Sequence, residues 1–420
     1  MSSLLDPKSV AVVGASDNLE KIGGIIYNNL QSFVGKVYPV NPTHSTINGS
    51  PCYPTVEDIN QKIDLAIIAV PAELVPKVLR STKNAKNIII ISAGFSEFGN
   101  EGLEKEILRI AKGNKQKIIG PNCVGLQLPY LNFNGTFIQK TAKEGNIAFI
   151  SQSGGFCGAA LGWADKENIG FSAFISIGNM LDLDFADLIE MLNEDKKTKA
   201  IAMYIEGLKD GRKFLEIAKS SKKPLIVYKV GKSEEGKKAA MTHTGSLAGS
   251  YKVYQGVFKQ AKIIEAESTS ELFDLIKGIS LINKKKELII LSNSGGPAVS
   301  AADYAVNLKE LSPNTVRNLT ALLPWKWNKS NPIDLSGNAN SEIYLESMKI
   351  LSKENANLLA ILIPTSMIDS AEIAQEIPDN SIACFMSGSL VEEGVKILKE
   401  EKIACFETPE QAIKVLNKIF

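Results

Sequence analysis

The sequence predicts an α/β protein with an N-terminal Rossmann-like domain followed by two flavodoxin-like domains, and three observations carry that class. Short apolar, β-branched runs stop repeatedly at glycine, proline or serine. Stretches with helical spacing separate them. One turn, a strand running into Ser-Gly-Gly and then a helix, occurs twice, at Ser153-Gly154-Gly155 and Ser294-Gly295-Gly296. Strands alternating with helices imply parallel sheets covered on both faces. The domains are expected at 1–128, 129–283 and 284–420, the last opening at the polar run Lys284-Lys285-Lys286-Glu287.

In the first third, the run at 9–14 ends at Gly14 and leads into helical spacing over 22–33. Further strands are expected at 35–40, 65–70, 87–92 and 117–120, with helical segments at 56–59, 72–80 and 102–113. The first turn, Gly14-Ala15-Ser16 through Lys21-Ile22-Gly23, can set backbone amides and a helix start against a phosphate. It is not the dinucleotide fingerprint, because Ser16 stands where the second glycine belongs. The second strand ends Val40-Asn41-Pro42, where a nicotinamide site would offer a carboxylate to the ribose hydroxyls. Uncharged Asn41, with Lys21 nearby, suits a ribose that carries a phosphate, as in coenzyme A. Val70-Pro71-Ala72, Ser92-Ala93-Gly94-Phe95 and Gly120-Pro121-Asn122 follow later strands, at the carboxyl edge where such sheets bind ligands. Taken singly, each is equally well read as an ordinary strand-to-helix turn.

The middle third begins with a strand at 146–151 running into Ser151-Gln152-Ser153-Gly154-Gly155 and a helix. The amides of Ser153, Gly154 and Gly155 at a dipole-positive helix start form a phosphate cradle, the alternative being a plain turn. A nucleophile elbow would need glycine where Ser151 stands. Strands follow at 172–176, 200–204 and 224–230. Glu206, just past the second of these, shares the cradle's carboxyl edge. It is either an ordinary strand-end acid or the partner of a histidine ring. The chain has two histidines. One, His243, stands in Met241-Thr242-His243-Thr244-Gly245-Ser246-Leu247-Ala248-Gly249, a stretch read as a mobile loop after the charged run 232–238. An imidazole there can attack and hold a covalent group; a solvated histidine in a turn is the alternative. Asp182 and Asp184 fit helix capping or a subunit contact better than a metal, and no metal site is expected.

In the last third, strands are expected at 288–292, 359–363 and 382–386, with a helix at 298–308 and the motif Asn331-Pro332-Ile333-Asp334-Leu335-Ser336 between them.

Composition bounds the partners. With 44% apolar residues, 22% charged and a formal net charge of +1, the chain gives no electrostatic case for nucleic acid or an anionic membrane. Cysteines at 52, 123, 157, 384 and 405 form no CxxC pair, so neither disulfides nor zinc are indicated. The first residues lack a basic stretch followed by an apolar core, and no apolar run approaches a membrane span, so a cytoplasmic protein is expected.

In their order these motifs resemble the α subunit of the NDP-forming acyl-CoA synthetases, closest to ADP-forming acetate–CoA ligase and related to the succinyl-CoA synthetase α subunit. The resemblance rests on Gly14-Ala15-Ser16 with Lys21 and Gly23, Tyr38-Pro39-Val40-Asn41-Pro42, Ser92-Ala93-Gly94-Phe95, Gly120-Pro121-Asn122, Ser151 to Gly155, Tyr204-Ile205-Glu206-Gly207 and Thr242-His243-Thr244-Gly245. It implies that His243 is phosphorylated, that Glu206 orients it, that Ser153, Gly154 and Gly155 hold phosphate, and that the first domain holds coenzyme A. It also implies a small carboxylic acid or its acyl-CoA as substrate. Nothing after Asp334 reads as an ATP-grasp domain, so ADP, ATP and Mg2+ are expected on a separate β subunit, in an α2β2 heterotetramer. Two other readings compete: a nonenzymatic coenzyme A-binding regulator, which Glu206 and His243 together argue against, and an NAD-dependent oxidoreductase, which Ser16 and Asn41 disfavour.

Calorimetry should therefore show coenzyme A binding in preference to NAD, and Lys21→Glu should weaken it. An unchanged affinity in that variant would remove Lys21 from the site.

Overall fold

Each apolar run of the first third forms a strand: β1 (Ser9–Val13), β2 (Lys36–Val40), β3 (Ile63–Ile68), β4 (Ala85–Ile90) and β5 (Lys117–Ile119). They pair in parallel in the order β2-β1-β3-β4-β5. Val10 and Val12 pack into one buried cluster while Ala11 and Val13 pack into another. Burial on both faces is why these runs are continuously apolar and do not alternate. The strand order reverses at β1, which opens a crevice beyond its carboxyl end. The helix after β1 covers Ile22–Asn29 and gives way to a short 3-10 turn at Leu30–Ser32, earlier than the spacing predicts. Its last side chain, Asn29, is drawn to the carbonyls of Thr136 and Ile138, each at 3.0 Å.

The structure is a computed structural model that describes residues 3–244, 250–283, 287–324 and 326–420, and only the backbone of 240–244. Contacts divide the chain into two units, Met1–Glu267 and Ser268–Phe420. The first unit holds a second sheet built from β6 (Gly125–Leu128), β7 (Phe133–Thr136), β8 (Glu144–Ser151), β9 (Phe171–Ser176), β10 (Ala200–Ile205), β11 (Leu225–Lys229) and β12 (Ile264–Ala266). Its order is β12-β11-β10-β8-β9-β6-β7. The five strands from β8 to β12 are parallel, whereas β6 and β7 are antiparallel. That hairpin escapes the sequence pattern because Pro129 and Asn132 interrupt it and neither strand exceeds four residues. It closes the gap between the sheets: fully buried Phe133 stands edge-on to Phe33 at 5.2 Å, and one core runs from Val10 and Ile26 through Phe133 to Ile150 and Ile201.

The second unit carries β13 (Leu288–Ser292), β14 (Ile333–Asp334), β15 (Asn357–Leu362) and β16 (Ser381–Phe385), all parallel in the order β14-β13-β15-β16. Its first helix, Thr269–Leu281, precedes the lysine run at 284–286 and packs on the last helix, Pro409–Ile419. There Lys277 donates to the Cys405 carbonyl (2.9 Å) and Lys418 pairs with Glu271 (2.6 Å). The helix after β13 covers Gly295–Tyr304, starting and ending before the expected 298–308. It ends there because Leu288 N bonds Asn307 O and Lys309 N bonds Leu288 O, which draws the chain alongside β13. Among the described residues no helix is long and apolar enough to cross a membrane.

Phe133→Ala should cost about 3–5 kcal/mol, the usual loss for a buried phenylalanine. Urea unfolding reads it, and a loss below about 1 kcal/mol would deny the hairpin its joining role.

Candidate functional site

The turn after β1 is fixed by backbone packing. Gly14 N donates to Val40 O (2.9 Å). A Cβ on Gly23 would lie 2.0 Å from Gly14 O, so the helix start can close on the turn only as glycine. Asn41, expected mainly as a missing carboxylate, also ties two backbone segments together. Its Nδ2 donates to Ala15 O (2.8 Å) while its Oδ1 accepts from Thr43 N (3.1 Å), which stitches the end of β2 to the first turn. Ala15 and Ser16 are buried, and Ser16 Oγ accepts from Asn18 N (3.1 Å), so both shape the turn from within.

Two clefts of about 400 Å3 each open at this edge and share Gly14 and Val70. One is lined chiefly by apolar groups and by Val40, Asn41 and Pro42; the other by Lys21, Gly23, Pro71, Ser92 and Ala93. Thr55, Lys77 and Ser81 in the first cleft are absent from the sequence-based expectation. A signal existed: Leu74, Lys77, Val78 and Ser81 follow the spacing of one helical face, and all four line the cleft. Gly94 and Asn122 lie outside both linings.

Asn122 instead joins the two sheets. Its amide donates to Ser92 O (2.9 Å) and its Nδ2 to Asn179 Oδ1 (3.3 Å). Asn179 in turn donates to Glu97 Oε2 (2.6 Å) and Glu104 Oε1 (2.9 Å). Burial works to raise the Glu97 carboxyl, but hydrogen bonds from Asn179 and from the amides of Gly94 and Phe95 prevail and hold it below its ordinary value. Two residues on, Val124 N donates to Ser176 Oγ (2.9 Å), and a Cβ on Gly154 would meet the Val124 side chain at 2.8 Å. The 122–124 loop of the first sheet therefore rests on the cradle of the second.

The cradle itself starts the helix Gly154–Lys166. Ser153 is its N-cap, its hydroxyl accepting from Phe156 N (3.3 Å). Ser153 N is already given to Ser151 Oγ (3.1 Å), so the donors this turn can offer an anion are the Gly154 and Gly155 amides, which lack an intrahelical acceptor. The thiols close by are buried, and burial pushes Cys157 up to about 12 and Cys123 well above its ordinary value, which disfavours the thiolate.

Pairing of Ser151 with Tyr204 across β8 and β10 brings Glu206 beside the cradle. The link is Gln152, whose Oε1 accepts from both Glu206 N (2.6 Å) and Gly207 N (3.0 Å). Glu206 is 7% exposed. Burial first, then the Glu206 charge, push the Tyr204 phenol up to about 12. Sequence alone places Gln152 inside a motif and assigns it no role.

The expected loop is helical over Met241 to Thr244. The backbone is helical over Glu234–Thr244, and His243 lies on that helix. Ser233 explains why: its Oγ accepts from Gly236 N (3.0 Å), and Glu234 and Glu235 then fill the first turn, where acids favour a helix start. The ring of His243 and residues 245–249 lie outside the described residues. Asp184, as expected, caps a helix: Asp184 and Asp187 form a reciprocal box at the start of Phe185–Asn193.

A profile described as CoA binding domain matches residues 8–129, and one described as succinyl-CoA ligase like flavodoxin domain matches residues 144–279. Fold and profiles thus define the class: a protein with a coenzyme A-binding domain followed by a succinyl-CoA ligase-like domain. The chain belongs to the family of ADP-forming acetate–CoA ligases. It is 40% identical to acetate–CoA ligase (ADP-forming) II subunit alpha of Pyrococcus furiosus, over 96% of this chain and 94% of that one. It is 43% identical to acetate–CoA ligase (ADP-forming) I of Archaeoglobus fulgidus over 99% of its own length, and spans 63% of that longer chain. A solved structure, dinucleotide forming acetyl-coenzyme A synthetase 1 of Ca. Korarchaeum cryptofilum in complex with phosphate and ADP, superposes with a TM-score of 0.94 at 35% identity, over 100% of this chain and 96% of that one.

Gln152→Leu keeps most of the volume and leaves the Glu206 and Gly207 amides without their acceptor, a cost of about 1–3 kcal/mol. Thermal unfolding should show that loss, and coenzyme A affinity should stay unchanged. A loss of affinity would mean that Gln152 acts on the first sheet's clefts.

Proposed function

We propose that the chain is the α component of an ADP-forming acid–CoA ligase that catalyses, reversibly, acyl-CoA + ADP + phosphate to acid + ATP + coenzyme A. The observation that carries this reading is the Gln152 bridge, which ties the turn before the helix start at Gly154 to the backbone of Glu206 and Gly207 at the end of the strand pair β8–β10. The clefts at Gly14, Lys21 and Lys77 suit the phosphorylated and apolar parts of coenzyme A.

A phosphate oxygen attacks the thioester carbonyl, the C–S bond breaks, and coenzyme A leaves as a thiolate that takes up a proton. The acyl phosphate then meets His243. An unprotonated ring nitrogen attacks phosphorus, the P–O bond to the acyl group breaks, and the acid departs as a carboxylate. Glu206 orients the ring through its other nitrogen and offsets the positive charge that develops. The Gly154 and Gly155 amides stabilise the phosphoryl oxygens throughout. The phosphoryl group then passes to ADP on a partner.

We place ADP, ATP and Mg2+ on an ATP-grasp β subunit, in an α2β2 assembly. One observation supports a separate partner: a relative matched nearly end to end carries the name subunit alpha. Five free cysteines fit a reducing compartment, and we place the protein in the cytoplasm.

Incubated with acetyl phosphate, the chain should acquire an acid-labile, base-stable phosphate on His243, read by mass spectrometry. His243→Asn should abolish it and keep coenzyme A binding. Without its partner the chain should make no ATP from acetyl-CoA, ADP and phosphate. A phosphate on another residue, or ATP formed by the chain alone, would overturn the assignment.

A further inference from the structure

Lys229, the last residue of β11, pairs in register with Ile205 at the end of β10, which puts its side chain beneath the Glu206 turn. It is 2% exposed. Its ammonium donates to Glu206 O (2.8 Å) and to the carbonyl of Val230, and lies 4.7 Å from the centre of the Tyr254 ring. Tyr254, on the helix Tyr251–Ala261, accepts from Leu208 N (3.1 Å) through its hydroxyl. With Gln152 on the Glu206 and Gly207 amides, side chains from a turn, a strand and a helix hold the backbone at 206–208. A buried cation is costly to keep unless a specific set of partners compensates it. An aliphatic residue would fill the same space without that cost.

We propose that Lys229 and Tyr254 are positioning residues for Glu206, a buried bracket whose positive charge is needed for phosphorylation of His243; this deepens the reading above and rests on it. The ammonium fixes the Glu206 carbonyl, attracts its carboxylate and is itself held by the Tyr254 ring. The charged groups that act on it are Glu206, which favours the ammonium, and Lys232 and Lys237, which disfavour it. Burial is the largest influence and brings Lys229 down to about 8. The direction follows: as pH rises through about 8 the folded protein loses this charge, so the bracket weakens on the alkaline side.

The test is the single-turnover rate of His243 phosphorylation by acetyl phosphate, followed from pH 6 to 10 in the full chain, with coenzyme A affinity and melting temperature measured alongside. The wild type should lose rate with a midpoint near 8. Lys229→Met should be at least about tenfold slower, about 1.4 kcal/mol in barrier, with no alkaline limb and unchanged coenzyme A affinity. Lys229→Arg, which stays charged, should push the limb out of the range, and Tyr254→Phe, which keeps the ring, should slow the reaction less than Lys229→Met. A Lys229→Met protein with the wild-type rate and limb would overturn the proposal. If that variant does not fold, an unshifted limb in Lys229→Arg, or no limb in the wild type, overturns it equally. A wild type labelled elsewhere than His243 would instead overturn the functional reading, before any variant is compared.

Discussion

A short piece of backbone that no sheet or helix can satisfy governs this site. Glu206, Gly207 and Leu208 follow β10, where ladder bonding stops, and their polar groups are met by side chains: Gln152 for two amides, Lys229 for a carbonyl, Tyr254 for the third amide. Each bond is worth only about 1 kcal/mol net, but a buried amide left unmet costs more. Those partners come from the turn after β8, from the end of β11 and from the helix Tyr251–Ala261, so the 206–208 backbone is held from three sides. Glu206 is placed against the cradle at Ser151 to Gly155 for the same reason.

The junction between the two sheets of the first unit follows the same logic. Asn122 donates to Asn179 and Val124 to Ser176 at the carboxyl edges, and Phe133 lies in the core shared by the two sheets. Polar links set the register of the loops, and the apolar contact resists their separation. A ligand held at Ser92 and Ala93 therefore sits on loops that are continuous with those carrying the cradle.

The second Ser-Gly-Gly turn is built like the first. Ser292 Oγ locks Ser294 through its amide and carbonyl, as Ser151 Oγ locks Ser153. The helix starts then diverge. Ser153 caps Phe156 N, whereas the matching position after Ser294 is Pro297, which has no amide to give. Asp334 also stands at this start, its Oδ2 2.8 Å from where a Gly295 Cβ would be, and its negative charge suits the helix dipole there. Equal local sequence thus produces equal turns with different electrostatic surroundings.

What can be read from the chain alone is whatever depends on neighbours in sequence. Continuous apolar runs mark strands buried on both faces, and serine with two glycines marks a helix start rich in unpaired amides; both follow from local sterics and hydrogen bonding. The helix boundary at Asn29 and the helical state of Met241 to Thr244 depart from the sequence expectation. The first does so because Asn29 bonds residues more than a hundred positions away, the second because Ser233 caps a helix that the glycines beyond it conceal. The hairpin β6–β7 has too few apolar residues to show as a pattern, and it exists because two sheets need a common core. Lys77 reaches its cleft through the packing of a short helix, and Gln152, Lys229 and Tyr254 converge on one turn from positions 152, 229 and 254. Residues far apart along the chain meet only when strand order and register are set, so the sequence by itself determined the class of fold and the chemistry on offer, while tertiary structure alone decided which side chains hold Glu206 in place.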